Sequence, residues 1–287
     1  MLQIVSKPMR LDFVAAISVL FVAIWATAQP PQSATDVSPY FQSALAFEHS
    51  REIDKAIEEY QKAIAATPNH ADSHYNLARL LAAKQNYDEA IRQYREAIRI
   101  NPNDPDFHNN LGLALRNKGD LAAAEREYRE AFRLNPKQAD AHSNLGNLFY
   151  QRKDLKAAIA EYRVAIQADP SHARSHMNLG SALDDSGETD GAIVEYRESI
   201  RLEPENAEAH YNLGISLAKK QDAQGALAEL RASEKLEPDW PIPHIWLVTL
   251  LMKSNPRGAL DECRIADNLT HDAKMHDLCE KLATKVK

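Results

Sequence analysis

The chain has 287 residues, 44% of them hydrophobic and 26% charged, with 9 glycines, 14 prolines and a formal net charge of −7. It carries enough apolar side chain to fold, and too little glycine and proline for a disordered or collagen-like polymer. The negative balance argues against a nucleic-acid groove, which needs a basic stripe to replace phosphate counterions.

Residues 1–28 read as an export signal. Lys7 and Arg10 precede an apolar run from Phe13 to Trp25, and Ala26-Thr27-Ala28 closes it with a small-residue cleavage site. Asp12 at the head of the run is unusual for such a segment. A retained membrane anchor is the rival reading, but a helix over this run rises only about 20 Å against a hydrocarbon core of about 30 Å. The expectation is therefore a periplasmic or secreted protein, cleaved after Ala28. Gln29 to Asp36, polar and proline-rich, follows as a linker.

From Val37 a single period governs the chain. Pro68, Pro102, Pro136, Pro170, Pro204 and Pro238 each stand 34 residues after the last. A fixed period of this size means a solenoid, in which one helical unit stacks on the next. Six repeats follow, at 37–70, 71–104, 105–138, 139–172, 173–206 and 207–240, with a degenerate seventh over 241–274 and a capping helix over 275–287. Each repeat predicts two amphipathic helices. In the fourth, Leu145, Leu148 and Phe149 form one apolar stripe, and Ala158, Ile159, Tyr162, Ala165 and Ile166 form the second. Arg152-Lys153-Asp154 turns the chain between them, and Asp169-Pro170 stops the second helix. Gly119 and Gly187 sit where a left-handed residue is useful.

Small residues recur where the two helices cross. Gly112, Gly146, Gly180 and Gly214, with Ala44 and Ala78 before them, face Ala56, Ala90, Ala124, Ala158, Ala192 and Ala226. Tyr60, Tyr94, Tyr128, Tyr162 and Tyr196 recur beside them, and Leu230 takes that place in the sixth repeat. This set resembles the tetratricopeptide repeat (TPR) family over residues 37–240. The resemblance implies an all-α, right-handed solenoid whose first helices line a concave face. It also implies a scaffold that binds proteins, not an enzyme.

The resemblance places one more series on that inner face. Asn76, Asn110, Asn144, Asn178 and Asn212 occupy one position in consecutive repeats, with Gln42 before them and Trp246 after. The series resembles the asparagine ladder of the TPR superhelix of the O-linked N-acetylglucosamine transferase, which grips the backbone of an extended peptide. Each carboxamide offers two donors and an acceptor, whatever side chains the peptide carries. The alternative is that these asparagines only tie helices together. Asp72, Asp106, Asp140, Arg174 and Glu208 lie one helical turn earlier, and Arg79, Leu113, Asn147, Ser181 and Ile215 nearly one turn later. The groove is therefore polar with an acidic edge. It lacks the lysines and arginines of a carboxylate clamp. An accessory subunit that binds through its convex face is the alternative function.

Nothing else suggests chemistry, a cofactor or a small-molecule substrate. The glycines are all accounted for by crossings, turns and second-helix starts, so none builds a phosphate loop. His74, His108, His142, His176, His210 and His244 repeat at one position, and a metal ladder is the sharp reading. Helices about 8–10 Å apart hold such rings too far apart for shared ligation, and the TPR resemblance implies bulky, part-buried structural residues at this position. The acidic turn from Asp184 to Asp190 lacks the spacing of a calcium loop. No GxSxG or HExxH is present. Cys263 and Cys279 flank a turn near His271 at equal distances, which suggests a disulfide in an exported protein. Helix axes about 8–10 Å apart strain that pairing, whose Cα atoms want about 7 Å or less, and two buried thiols are the alternative. Asn268-Leu269-Thr270 on that turn is a glycosylation sequon.

Overall fold

The computed structural model describes residues 38–286, and among them every regular element is an α-helix. The export signal, the linker and Val37 lie outside the described residues. The chain divides into two compact units, the first ending at Pro68 and the second beginning at Asn69. No described helix is long and apolar enough to cross a membrane.

The first unit is a hairpin of α1 (Pro39–His49) and α2 (Ile53–Ala66). Pro39 opens α1 where its missing N–H has no intrahelical partner to lose. Ala44 and Ala56 are fully buried, so the axes come close enough for Tyr60 to meet Phe41 edge-on, ring centroids 5.7 Å apart. The Tyr60 hydroxyl donates to Glu48 at 2.7 Å.

The second unit repeats this hairpin. Its pairs are α3 (Ala71–Ala83) with α4 (Tyr87–Ile100), α5 (Pro105–Lys118) with α6 (Leu121–Leu134), and α7 (Ala139–Gln151) with α8 (Leu155–Ala168). Then come α9 (Ala173–Asp185) with α10 (Thr189–Leu202), and α11 (Ala207–Lys219) with α12 (Ala223–Leu236). A last pair, α13 (Pro241–Leu251) and α14 (Pro256–Thr270), precedes the closing α15 (Ala273–Val286).

The crossings show why the small residues are small. A Cβ built on Gly146 would stand 2.6 Å from a ring carbon of Tyr162, and one on Gly112 2.7 Å from Tyr128. The tyrosine ring fills the space that a methyl would need. Around it Ala158, Ile159, Leu179, Ala182, Leu183, Ala192 and Tyr196 continue one core from repeat to repeat. Each large side chain buried this way contributes about 1.5–3 kcal/mol. Surface pairs such as Arg133–Glu130 and Arg201–Glu198 lie on the wet side and contribute little.

Local signals set the helix ends. Asp120, Asp154 and Asp222 cap α6, α8 and α12 by accepting the N–H of Ala123, Ala157 and Gly225. The turns between paired helices of the first six repeats use one left-handed residue. Gly119 and Gly187 supply it at φ 93° and 91°, but Arg51, Gln85, Lys153 and Gln221 adopt it without being glycine. The hairpin geometry overrides local preference at those four positions.

The C-terminal end departs from the pattern as the chain itself does. Val248, buried to 1% exposure, stands where the other repeats have a small residue. The closing helix starts at Ala273, two residues before the expected boundary, because Asp272 caps it through the Lys274 N–H at 3.0 Å. His271, left-handed at φ 51°, reverses the chain between α14 and α15. A disulfide joins Cys263 to Cys279 with Cα atoms 5.6 Å apart. The limit set by helix-axis spacing does not apply, because both Cβ atoms lie on the facing sides of the hairpin. Leu247, Leu251, Leu260, Met275 and Leu282 pack around it.

Candidate functional site

Each ladder asparagine precedes a buried leucine: Leu77, Leu111, Leu145, Leu179 and Leu213 are all at 3% exposure or less. That leucine anchors the helix to the core and leaves the asparagine half-exposed at its rim. In the middle of the array the carboxamides reach back to the preceding repeat. Asn110 Nδ2 donates to Tyr75 Oη at 3.0 Å and to the Asp106 carbonyl at 2.9 Å. Asn144 Nδ2 donates to Asn109 Oδ1 at 3.0 Å, and Asn178 Nδ2 to Asn147 Oδ1 at 2.9 Å. Their Oδ1 atoms receive no donor among the described residues. The donors of the central ladder are thus engaged within the chain, and its acceptors remain on offer. Asn76 and Asn212 are half-exposed on α3 and α11, and Gln42 is exposed on α1 of the first unit.

The row one turn later has a role that the sequence did not reveal. Asn147 Oδ1 also accepts the Tyr162 hydroxyl at 2.7 Å, and Ser181 Oγ accepts that of Tyr196 at 3.1 Å. In the third repeat the same place is Leu113, and the Tyr128 hydroxyl is buried without a partner. The signal was present as a constant separation of 15 residues between this row and the tyrosines. Burial raises the phenol pKa at Tyr128, which the nearby Arg116 only partly offsets, to about 12.

The row one turn earlier is exposed throughout: Asp72, Asp106, Asp140, Arg174 and Glu208. Asp106 accepts from Gln138 Nε2 at 2.6 Å, and Asp140 lies 3.2 Å from His172 Nε2. Partial burial and then the charges of Asp104 and Asp140 push the Asp106 carboxyl up, whereas the His172 bond holds Asp140 down. Beside Glu208 a cavity of about 700 Å³ is lined by Glu203, Glu205 and Glu237. The far edge is internally paired. Asp184 accepts from Thr189, Ser216 and Lys219 at 2.9, 3.1 and 2.7 Å, and Tyr150 donates to Asp185 at 2.6 Å.

The repeated histidines turn away from this face, toward the second helix of their own repeat. Their Nδ1 atoms meet Gln93, Glu127, Glu161, Glu195, Glu229 and Glu262 at 2.6–2.8 Å. Glu234, His244 and Glu262 bring three ligand-type atoms within 4.8 Å of one another. Arg231 already pairs with both carboxylates there, at 3.2 and 3.0 Å.

A stack of helical hairpins with a polar row along its first helices defines a repeat solenoid. Family models described as "TPR repeat" match residues 78–119 and 182–221. Models described as "Tetratricopeptide repeat" match 37–70, 59–92 and 109–173. The chain belongs to the tetratricopeptide repeat family.

No curated protein matches it by sequence. Among solved structures it is similar to the APC/C hetero-tetramer Cut9-Hcn1, at TM-score 0.65 and 18% identity, over 75% of this chain and 42% of that one. The chain thus spans less than half of that relative. It is also similar to PilF of Pseudomonas aeruginosa, at TM-score 0.61 and 20% identity, over 69% and 90% of the two chains. MamA of Desulfovibrio magneticus RS-1 matches at TM-score 0.51 and 26% identity, over 59% and 96%. The first two likenesses speak for the fold alone.

Proposed function

We propose that this protein is an exported TPR scaffold whose asparagine row holds an extended protein segment for complex assembly. The observation that carries the reading is the state of Asn110, Asn144 and Asn178. Their Nδ2 atoms are fixed by intrachain hydrogen bonds, so the Oδ1 atoms are held in place before any ligand arrives. An extended backbone carries N–H donors along its edge, and acceptors oriented in advance bind them at a low ordering cost. The acidic row at Asp72, Asp106 and Asp140 borders the same groove and disfavours ligand carboxylates. No step of this reading needs a metal or a cofactor.

Selection from a displayed library of random unstructured peptides tests the proposal. Peptides enriched on residues 29–287 are to be lost when Asn110, Asn144 and Asn178 are all alanine. If the triple variant, shown to be folded, enriches the same peptides, the row is architecture. The convex surface is the second candidate. Val194 is 62% exposed there, and a cavity of about 550 Å³ lined by Leu155, Ile159 and Ala160 opens toward Ser186 and Glu188. Peptides that survive the triple substitution and are lost with the exposed-site variant Val194→Asp would assign the function to that side.

A further inference from the structure

The histidines make a second contact that the spacing did not predict. Nε2 of His108, His176, His210 and His244 lies 3.1 Å from the carbonyl oxygen of Pro102, Pro170, Pro204 and Pro238 in turn. Each proline follows the second helix of the preceding repeat. One imidazole therefore joins three pieces: its own first helix, a glutamate on its own second helix, and the end of the repeat before. A proline carbonyl and a carboxylate both accept and neither donates. The ring satisfies both only with a proton on each nitrogen. A neutral ring would set a lone pair against an oxygen on one side or the other.

We infer that two of these histidines, His108 and His210, are proton-operated fasteners between successive repeats: doubly protonated they hold the preceding helix end, and on losing a proton they release it. His210 faces Glu229 on α12 and the Pro204 carbonyl after α10. His108 faces Glu127 on α6, with Glu130 farther along that helix, and the Pro102 carbonyl after α4. Burial alone would lower His108, but the bond to Glu127, the Pro102 carbonyl and the charges of Glu127 and Glu130 outweigh it and raise its pKa. The bond to Glu229 raises His210 against burial, helped by Pro204. Because both folded values are raised, the holding is complete below the ordinary histidine value of about 6.5 and is lost as the pH climbs through the folded one.

The fourth repeat provides an internal control. His142 bonds Glu161 at 2.8 Å and stacks on Phe132 at 4.7 Å, but its Nε2 holds no carbonyl among the described residues. The turn before it closes through Gln138 N–H to Asn135 O at 3.0 Å, and the fastened turn before His210 closes through Asn206 N–H to Glu203 O at 3.2 Å.

Hydrogen exchange of these two amides at pH 6 and pH 8.5, corrected for intrinsic rate, tests the inference. Protection at Asn206 is expected to fall about tenfold for each unit by which the ring value is raised, while Gln138 stays level. His210→Gln, neutral at every pH, is expected to hold Asn206 at the low level throughout. The pKa of His276 on the last hairpin is also raised, by its bond to Asp267, so the local comparison and not the global melt decides. Equal loss at both amides would overturn the proposal. So would ring titration by NMR placing His108 and His210 at or below the ordinary histidine value, a measurement that needs no variant to fold.

Discussion

Tyr128 and Tyr162 occupy the same place in neighbouring repeats, at 0% and 1% exposure, and differ in one hydrogen bond. Tyr162 donates to Asn147 Oδ1 at 2.7 Å, whereas Tyr128 meets Leu113 and has no partner. Replacing each by phenylalanine removes one oxygen and leaves packing unchanged. Tyr162→Phe is expected to cost about 1 kcal/mol, the net worth of a buried neutral hydrogen bond. Tyr128→Phe is expected to be neutral or to stabilise by up to about 1 kcal/mol, because an unpaired buried hydroxyl leaves with it. The two variants should thus lie about 1–2 kcal/mol apart, or roughly 2–8 °C in melting temperature. Urea unfolding with unchanged m-values is the assay. Leu113→Asn completes the cycle. Alone it gives Tyr128 a partner, and in the Tyr128→Phe background that gain should vanish. Equal losses from both phenylalanine variants, or a Leu113→Asn effect independent of Tyr128, would refute the reasoning.

Three further outcomes follow from the same geometry. Gly146→Ala places a Cβ 2.6 Å from the Tyr162 ring and is expected to cost about 1–3 kcal/mol by overpacking, read from thermal melts. Cys263→Ser with Cys279→Ser opens a link with a sequence separation of 16 and is expected to cost about 3 kcal/mol, with exchange protection lost first in α14 and α15. Asp154→Ala removes the side-chain cap of α8 and is expected to cost about 1 kcal/mol by denaturant unfolding, with Asp154→Asn nearly neutral.

The repeat period, the paired helices and the crossings were legible because they rest on a spacing that only one geometry satisfies. Gly112, Gly146, Gly180 and Gly214 meet an aromatic ring or a leucine at contact distance, as small residues at a crossing must. What escaped was whatever depends on partners across repeats. The asparagine row was readable as a row, but that Asn144 bonds Asn109 and Asn178 bonds Asn147 follows from side-chain reach between stacked helices. The histidines were recognisable as part-buried. Their proline-carbonyl contacts were not, because a backbone acceptor leaves no letter in the sequence. The left-handed turn residues show the same limit: Gly119 and Gly187 announce themselves, and Lys153 and Gln221 do not.

The most direct test of the account compares one selected peptide on three proteins: the parent, Asn110→Asp with Asn144→Asp, and Asn110→Ala with Asn144→Ala. Both pairs of substitutions remove the intrachain donors, so both should lower the melting temperature by similar amounts. Only aspartate keeps an acceptor facing the groove. The account predicts that the alanine pair weakens binding about thirtyfold, for two lost hydrogen bonds of about 1 kcal/mol each. The aspartate pair keeps the acceptors but loses the bonds that orient them, so it should bind better than the alanine pair and no better than the parent. Parent-like affinity in the folded alanine pair would contradict it, and would leave the asparagine row as a device for joining repeats.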